Sequence, residues 1–332
     1  MRPSLQQRCE AQICNEDALR KGHKLEFEAV MKLAAMMHVN AGREVNAARL
    51  AECKRILKDK VGLFSNFRGY MQYLVQVKMA LSDDPNAYID DVLRVYQRLK
   101  EGRVLPGEMV AMAATTIYEN CPAGMCDTVV DKTREAYAKI KEQHRFLTGE
   151  EDLALIALMI MGGIDPGKAA ERAEELYVIL KDKYLPGSDT PQSAAMVLAL
   201  SDKPVEQKVE GFIGLYDACK AAGHATAKDK AMTIYATYVD LDSDRAEIVA
   251  EIGEVDEWLK GHKGYGPLGV GASIRRLIAA TLVLEDRQGT NAATVAGTTS
   301  AVAQAVVEEL VLILISIIVT AIVVNSIVRS GH

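Results

Sequence analysis

The chain is expected to be all-α, a superhelical array of helical hairpins in units of about 40 residues, resembling an α-solenoid and ending in a hydrophobic helix. Three observations predict this. Tyr96, Tyr137, Tyr177 and Tyr216 stand 41, 40 and 39 residues apart, each inside a segment of the form LY-x-x-LK. Halfway between them the chain repeatedly stops at an Asp or Asn close to a Pro, as at Pro85, Pro122, Pro166 and Pro204. Aromatic residues make up only 5% of the 332, while Ala, Leu and Met are plentiful, which favours helices over strands.

Residues 1–22 read as a leader or short capping helix. The array then runs over 23–288, with units near 23–62, 63–102, 103–143, 144–183, 184–223 and 224–263 and a partial unit from Gly264. In each unit the first helix is almost wholly apolar, as in EDLALIALMIM and PQSAAMVLAL, and is expected to be buried. The second is amphipathic: in AAERAEELYVILKDK, Ala173, Leu176, Tyr177 and Leu180 share one face and the charges share the other. Asp or Ser caps the start of that second helix while Pro occupies its first turn, where no amide donor is required. Turns such as LPGE from Leu105, LTGEE from Leu147 and LPGSD from Leu185 open the next unit. Stacked hairpins of this kind bury their apolar faces only against neighbours and present an extended concave surface.

Beyond the array, 289–309 is a linker or helix of small apolar residues, interrupted by Glu308 and Glu309. Leu310 to Val328 is then a run of 19 residues without a charge, close to the ~20 needed for a helix to cross a bilayer. It reads either as a membrane anchor holding the body in the cytoplasm or as a helix sheltered by the protein or by a second copy in a homo-oligomer. A net charge of -6 argues against nucleic acid as a partner. Residues 1–21 carry no apolar signal core, so the six cysteines are expected to be reduced, cytosolic and buried or incidental. The pairs Cys9/Cys14 and Cys121/Cys126 are each separated by four residues, a wider gap than structural zinc pairs use, and no metal is expected.

The string LFSNFRG from Leu63, KGYGPLGVG from Lys263, and the LSD-x-P turns and LY-x-x-LK helices between them carry a resemblance. Together they resemble a bacterial family, the domain of unknown function numbered four thousand and three, over roughly residues 23–288. The resemblance implies no activity, substrate or catalytic set. The terminal run is more hydrophobic than the Ala- and Gln-rich tails of that family.

Two places stand out as candidate sites. Asn66, Phe67 and Arg68 form an aromatic–polar–basic cluster with no equivalent in the other units, a composition suited to an interface anchor. Gly264 to Gly269, GYGPLG, fits G-x-G-x-x-G, but a helix rather than a strand precedes it, so a dinucleotide fold is not indicated. The exposed amides of Gly264, Gly266, Gly269 and Gly271, with Arg275 and Arg276 nearby, form a candidate anion site, the alternative being a plain turn into a capping helix. No His pair, G-x-S-x-G elbow or other catalytic grouping is found, and no cofactor is expected. The sequence therefore points to a non-enzymatic scaffold for a protein or peptide partner, tethered to a membrane if 310–328 is an anchor. The alternative is an enzyme or small-molecule or anion binder with a pocket at 264–271.

Overall fold

A computed structural model of the protein describes residues 1–22, 28–62, 65–68, 70–102, 107–143, 149–185 and 190–291, and among these it is all-helical with no strand. The terminal run 310–328 and the segment 292–309 lie outside the described residues. A long first helix, α1 (Pro3–Gly22), is followed by α2 (Glu28–Asn40), α3 (Ala47–Lys60), α4 (Tyr70–Leu81), α5 (Pro85–Lys100), α6 (Glu108–Asn120) and α7 (Cys126–Gln143). Next come α8 (Leu153–Met161), entered through a 3-10 turn at Glu150–Asp152, α9 (Pro166–Ile179), α10 (Thr190–Ala199) and α11 (Val205–Ala221). A 3-10 helix (Lys230–Tyr238), α12 (Arg245–Lys260) and α13 (Gly271–Asn291) complete the described chain.

Local chemistry sets many of the boundaries. The Asp84 carboxylate accepts from the amides of Asn86 and Ala87 at 2.8 and 3.1 Å, with Pro85 behind it as the first residue of α5. Asp165 caps α9 in the same way beside Pro166, and Asp244 caps α12 without a proline. The recurrent lysine of LY-x-x-LK has a physical reason as well. Lys100, Lys141 and Lys181 lie one turn beyond Tyr96, Tyr137 and Tyr177, with each ammonium 5.5, 5.2 and 5.4 Å from the tyrosine ring centre. In these three units the motif is thus a cation–π pair placed near a helix C-terminus, where positive charge is also favoured.

Burial divides the helices into two kinds. In α5 only one stripe is buried, made of Tyr88, Ile89, Val92, Val95, Tyr96 and Leu99, as expected of a helix with a wet face. In α2, α6, α8 and α10 the body of the helix is buried on every side: all of Val110–Ile117 and all of Leu153–Ile160 are inaccessible. Their content is mainly Ala, Leu, Met, Val and Ile, so the interior they form is filled by aliphatic side chains. These wrapped helices also neighbour one another in order. α2 packs on α4, α4 on α6, α6 on α8, α8 on α10, α10 on the 3-10 helix and that helix on α13. The last described helix then returns to the first, because α13 packs on α1 and α1 on α2.

That junction differs chemically from the others. The N-terminal ammonium pairs with Glu254 at 2.5 Å, Arg2 with Glu251 at 2.6 Å and Asp286 at 2.9 Å, and Arg8 with Glu285 at 3.1 Å. Arg287 joins from α13, pairing with Glu251 at 2.7 Å. The first and last described helices therefore meet through ion pairs beside buried apolar residues that include Leu5, Cys9, Leu282 and Val283.

The cysteines correct one expectation. Cys121 and Cys126 are joined as a disulfide, while Cys9, Cys14, Cys53 and Cys219 are free. The pair spans the stop after α6, where α7 starts only at Cys126 and not at the proline of ENCP.

Candidate functional site

The Gly-rich turn after α12 packs against the polar junction between the first and last described helices. Two of its glycines, Gly264 and Gly269, are required by close approach. Gly264 has φ +83°, and a Cβ there would meet Glu28, Lys32 and Arg20 at 2.8, 3.2 and 3.3 Å. A Cβ on Gly269 would fall 2.0 Å from the Gly264 carbonyl oxygen, with which the Val270 amide already bonds at 2.9 Å. Held in this way, the turn inserts Tyr265, fully buried, between α1 and α2. The Tyr265 hydroxyl donates to Glu16, and the Lys32 ammonium lies 3.4 Å above the Tyr265 ring.

Lys32 is inaccessible to solvent and pairs with Glu16 at 2.7 Å, with Glu28 further away at 3.9 Å. Gln12 fixes both partners, donating to the Glu16 carboxylate and to the Lys32 carbonyl at 2.9 Å each. Burial holds the Lys32 ammonium below its usual range despite the opposing pull of Glu16.

On the other side of Tyr265 lies a second charged centre. Asp256 of α12 is fully buried, and both of its oxygens are engaged. Arg275 Nε donates to Oδ1 at 2.6 Å, while His224 Nδ1 at 2.8 Å and Arg276 Nε at 3.3 Å meet Oδ2. Burial raises the Asp256 carboxyl, but the bonds from Arg275, His224 and Arg276 outweigh it, and the group stays below the usual carboxylate value. Arg275 also donates to the Tyr265 carbonyl at 3.0 Å, which links the two centres, and Arg276 donates to the Ala225 carbonyl at 3.0 Å.

The structure thus brings Arg275 and Arg276 to the glycine turn but aims both at Asp256. Gly266 faces open space, and Gly271 opens α13 with φ +75°. Arg275 is 6% exposed, so its charge is directed inward. The donor atoms of His224, Asp256 and Glu257 lie within 4.8 Å of one another. Three nitrogens already bond the Asp256 carboxylate, two of them from guanidinium cations, and the chemistry is that of a salt-bridge hub.

Of Asn66, Phe67 and Arg68, burial removes Phe67 from the surface, while Asn66 and Arg68 are half-buried and engaged with neighbouring groups. Phe67 is fully buried and meets the Tyr96 ring edge-on at 5.1 Å. Asn66 donates to the Tyr96 hydroxyl at 2.7 Å. Arg68 donates to the carbonyls of Lys58, Val61 and Gly62 at 3.4, 3.1 and 3.3 Å, covering free acceptors at the end of α3. The cluster therefore locks one turn to the next hairpin.

Sequence reasoning missed Glu16, Lys32, His224, Asp256 and Asp152. Only Lys32 left a signal, as the lone cation inside the apolar run VMKLAAMM. Asp152, 3% exposed at the entry to α8, accepts from the Gly149 amide at 3.0 Å and from Gln192 of α10 at 2.8 Å. Burial, with the Glu151 charge adding to it, pushes its carboxyl up to about 7 from 3.8. The folded state therefore holds this proton more tightly, so the contribution is complete below pH 3.8 and is lost as pH rises through about 7. Asp152→Asn is expected to gain on the wild type by roughly 2–4 kcal/mol between pH 4 and pH 8 in urea unfolding. An unchanged difference would mean that Asp152 is already ionised at pH 4.

A family model described as a protein of unknown function, DUF4003, matches residues 17–321, from the last turns of α1 into the uncharged terminal run. No curated protein and no solved structure matches the chain.

Proposed function

The chain belongs to this family of proteins of unknown function, and from that premise we propose that it binds a protein or peptide partner and performs no catalysis. In this reading the hairpins form a repeat array whose ends are drawn together by the α1–α13 junction, with the wrapped helices inside and the amphipathic ones outside. The observation that carries it is the burial of mainly aliphatic side chains along α2, α6, α8 and α10, a packing suited to a structural core. The ionisable groups that a reaction would need are, at both charged centres, paired with one another. The anion-binding alternative at the glycine turn has less support, since Arg275 and Arg276 share Asp256 and Glu257 adds a second negative charge beside His224.

The partner surface in this reading is a cleft of about 350 Å³ between α11 and α12. Its floor holds Leu215, Tyr238, Val239 and Ile248, and its rim carries Lys203, Glu210 and Arg245. An apolar floor with a charged rim suits one or two side chains of an extended peptide. Cross-linking in cells followed by affinity capture tests it, comparing wild type with Gln207→Trp, which blocks the cleft, and Arg245→Glu, which reverses a rim charge. A specific partner is expected to fall at least tenfold with both variants, as expected for loss of an interface anchor. Equal recovery from all three chains would overturn the reading.

We also propose that the run at 310–328 tethers the protein to a membrane, supported by its length and its lack of charge. The full chain is expected to float with liposomes, and a chain stopped after Gln288 is expected to stay at the bottom of the gradient. Co-sedimentation of both would show that the run packs on protein instead.

A further inference from the structure

The disulfide between Cys121 and Cys126 differs in exposure from the buried thiols of Cys9, Cys53 and Cys219. Cys9, Cys53 and Cys219 are completely buried, and burial pushes their thiols up to about 12, 11 and 12. Such thiols remain protonated and unreactive. Cys121 and Cys126 instead flank an exposed turn, Pro122–Met125, and each is itself partly exposed. Met125 is among the few large apolar side chains on the surface, 45% exposed.

The turn does not need the covalent bond for its shape. The Cys121 amide donates to the Ile117 carbonyl at 2.8 Å, the Met125 amide to Pro122 at 2.9 Å, and the Val129 amide to Met125 at 2.9 Å. Gly124, with φ +76°, makes the reversal. Ile117 and Val130, both fully buried, anchor the helices on either side. The two Cα atoms lie 5.6 Å apart, within the range for a disulfide, and the residues are five apart in sequence. A loop so short removes little entropy from the unfolded chain, so the bond adds less stability than one closing a long loop. Oxidised and reduced forms are thus both compatible with the same fold.

We propose that Cys121 and Cys126 form a reversible dithiol–disulfide site that exchanges with a small thiol such as glutathione. The incoming thiolate attacks Cys121 Sγ, forming a mixed disulfide there and releasing Cys126 as a thiolate. Cys126 is the preferred leaving group because it heads α7, where unpaired backbone amides stabilise negative charge. A second glutathione thiolate then attacks the glutathione sulfur of the mixed disulfide and releases Cys121. Two electrons reduce the protein disulfide, both cysteine thiolates take up protons, and two glutathiones leave as their disulfide. Oxidised glutathione reverses the sequence.

The test uses the full chain carrying Cys14→Ser, which removes the exposed free thiol. It is equilibrated without denaturant across a series of reduced-to-oxidised glutathione ratios and trapped at neutral pH, still folded, with an excess of a maleimide of known mass. Two labels are expected to appear together at a midpoint inside the series, at Cys121 and Cys126, with Cys9, Cys53 and Cys219 unlabelled. In a chain that also carries Cys126→Ser, the Cys121–glutathione mixed disulfide is expected to accumulate. A pair that stays oxidised in excess reduced glutathione is a structural bond, and a pair that stays reduced at every ratio forms no bond. Either result overturns the proposal, and so does a midpoint accompanied by loss of the helical circular dichroism.

Discussion

Asp256→Ala is expected to destabilise the protein by about 3–5 kcal/mol, the range for removing one partner from a buried ion pair. The loss is large because of what is left behind. Arg275 is 6% exposed and keeps only the Tyr265 carbonyl as an acceptor, so its guanidinium is buried without a counter-charge. His224 and Arg276 lose the same acceptor, which removes the side-chain bond from the segment following α11 to α12. Asp256→Asn keeps one acceptor oxygen and the shape, and is expected to fall between the wild type and the alanine variant. The acid limb provides an independent check. Because the folded Asp256 carboxyl lies below its ordinary value of 3.8, its contribution is present above that pH and is lost as pH falls through the folded value. The gap between wild type and variant in urea unfolding is therefore expected to be full at neutral pH and to narrow below about pH 4. A gap of under 1 kcal/mol at neutral pH would show that Arg275 finds water or another partner.

What could be read from the sequence follows from the range of the forces involved. The all-helical class was legible because helix periodicity, caps and stops are local: Asp84 with Pro85 and Asp165 with Pro166 each act within a few residues. The lysine after each ladder tyrosine is local too, one turn away along its own helix. The surroundings of the candidate sites were not legible where the neighbouring partner was remote or of unexpected type. Arg275 and Arg276 looked like free cations because Asp256 lies across a non-helical turn, in a stretch that reads as an ordinary solvated helix. Phe67 and Arg68 looked like interface anchors because their composition suits one, but the free carbonyls of α3 and the Tyr96 ring claim them. The spacing of Cys121 and Cys126 was visible, but the expectation of reduced thiols set the pairing aside. Glu16 and Tyr265 are 249 residues apart, a separation that no local pattern reports.

That long-range contact makes Glu16→Ala the second large effect, also expected at about 3–5 kcal/mol. The substitution removes the main counter-charge of Lys32, which is 0% exposed, and leaves only Glu28 at 3.9 Å. It also removes the acceptor of the Tyr265 hydroxyl and of Gln12, so buried donors lose their bonds together. Two further variants separate charge from hydrogen bonding. Glu16→Gln keeps an acceptor without the charge, and Glu16→Leu with Lys32→Met removes both ions in favour of apolar volume. If the pair serves to fix α1 against α2 and the glycine turn, the double variant is expected to recover most of the stability, since buried pairs are commonly replaced by apolar groups at little cost. pH gives the sign. The folded Lys32 ammonium lies below its usual 10.5, so between the two values the unfolded chain holds more protons and stability from this group rises with pH. Loss of Glu16 lowers the folded value further and extends that window downward. The deficit of Glu16→Gln relative to wild type is thus expected to shrink as pH rises towards 10.5, the ionisation of thiols and tyrosines in the unfolded state being common to both chains. A deficit that is constant across that range would mean that the lysine gives up no proton there, and that the lost hydrogen bonds alone account for the effect.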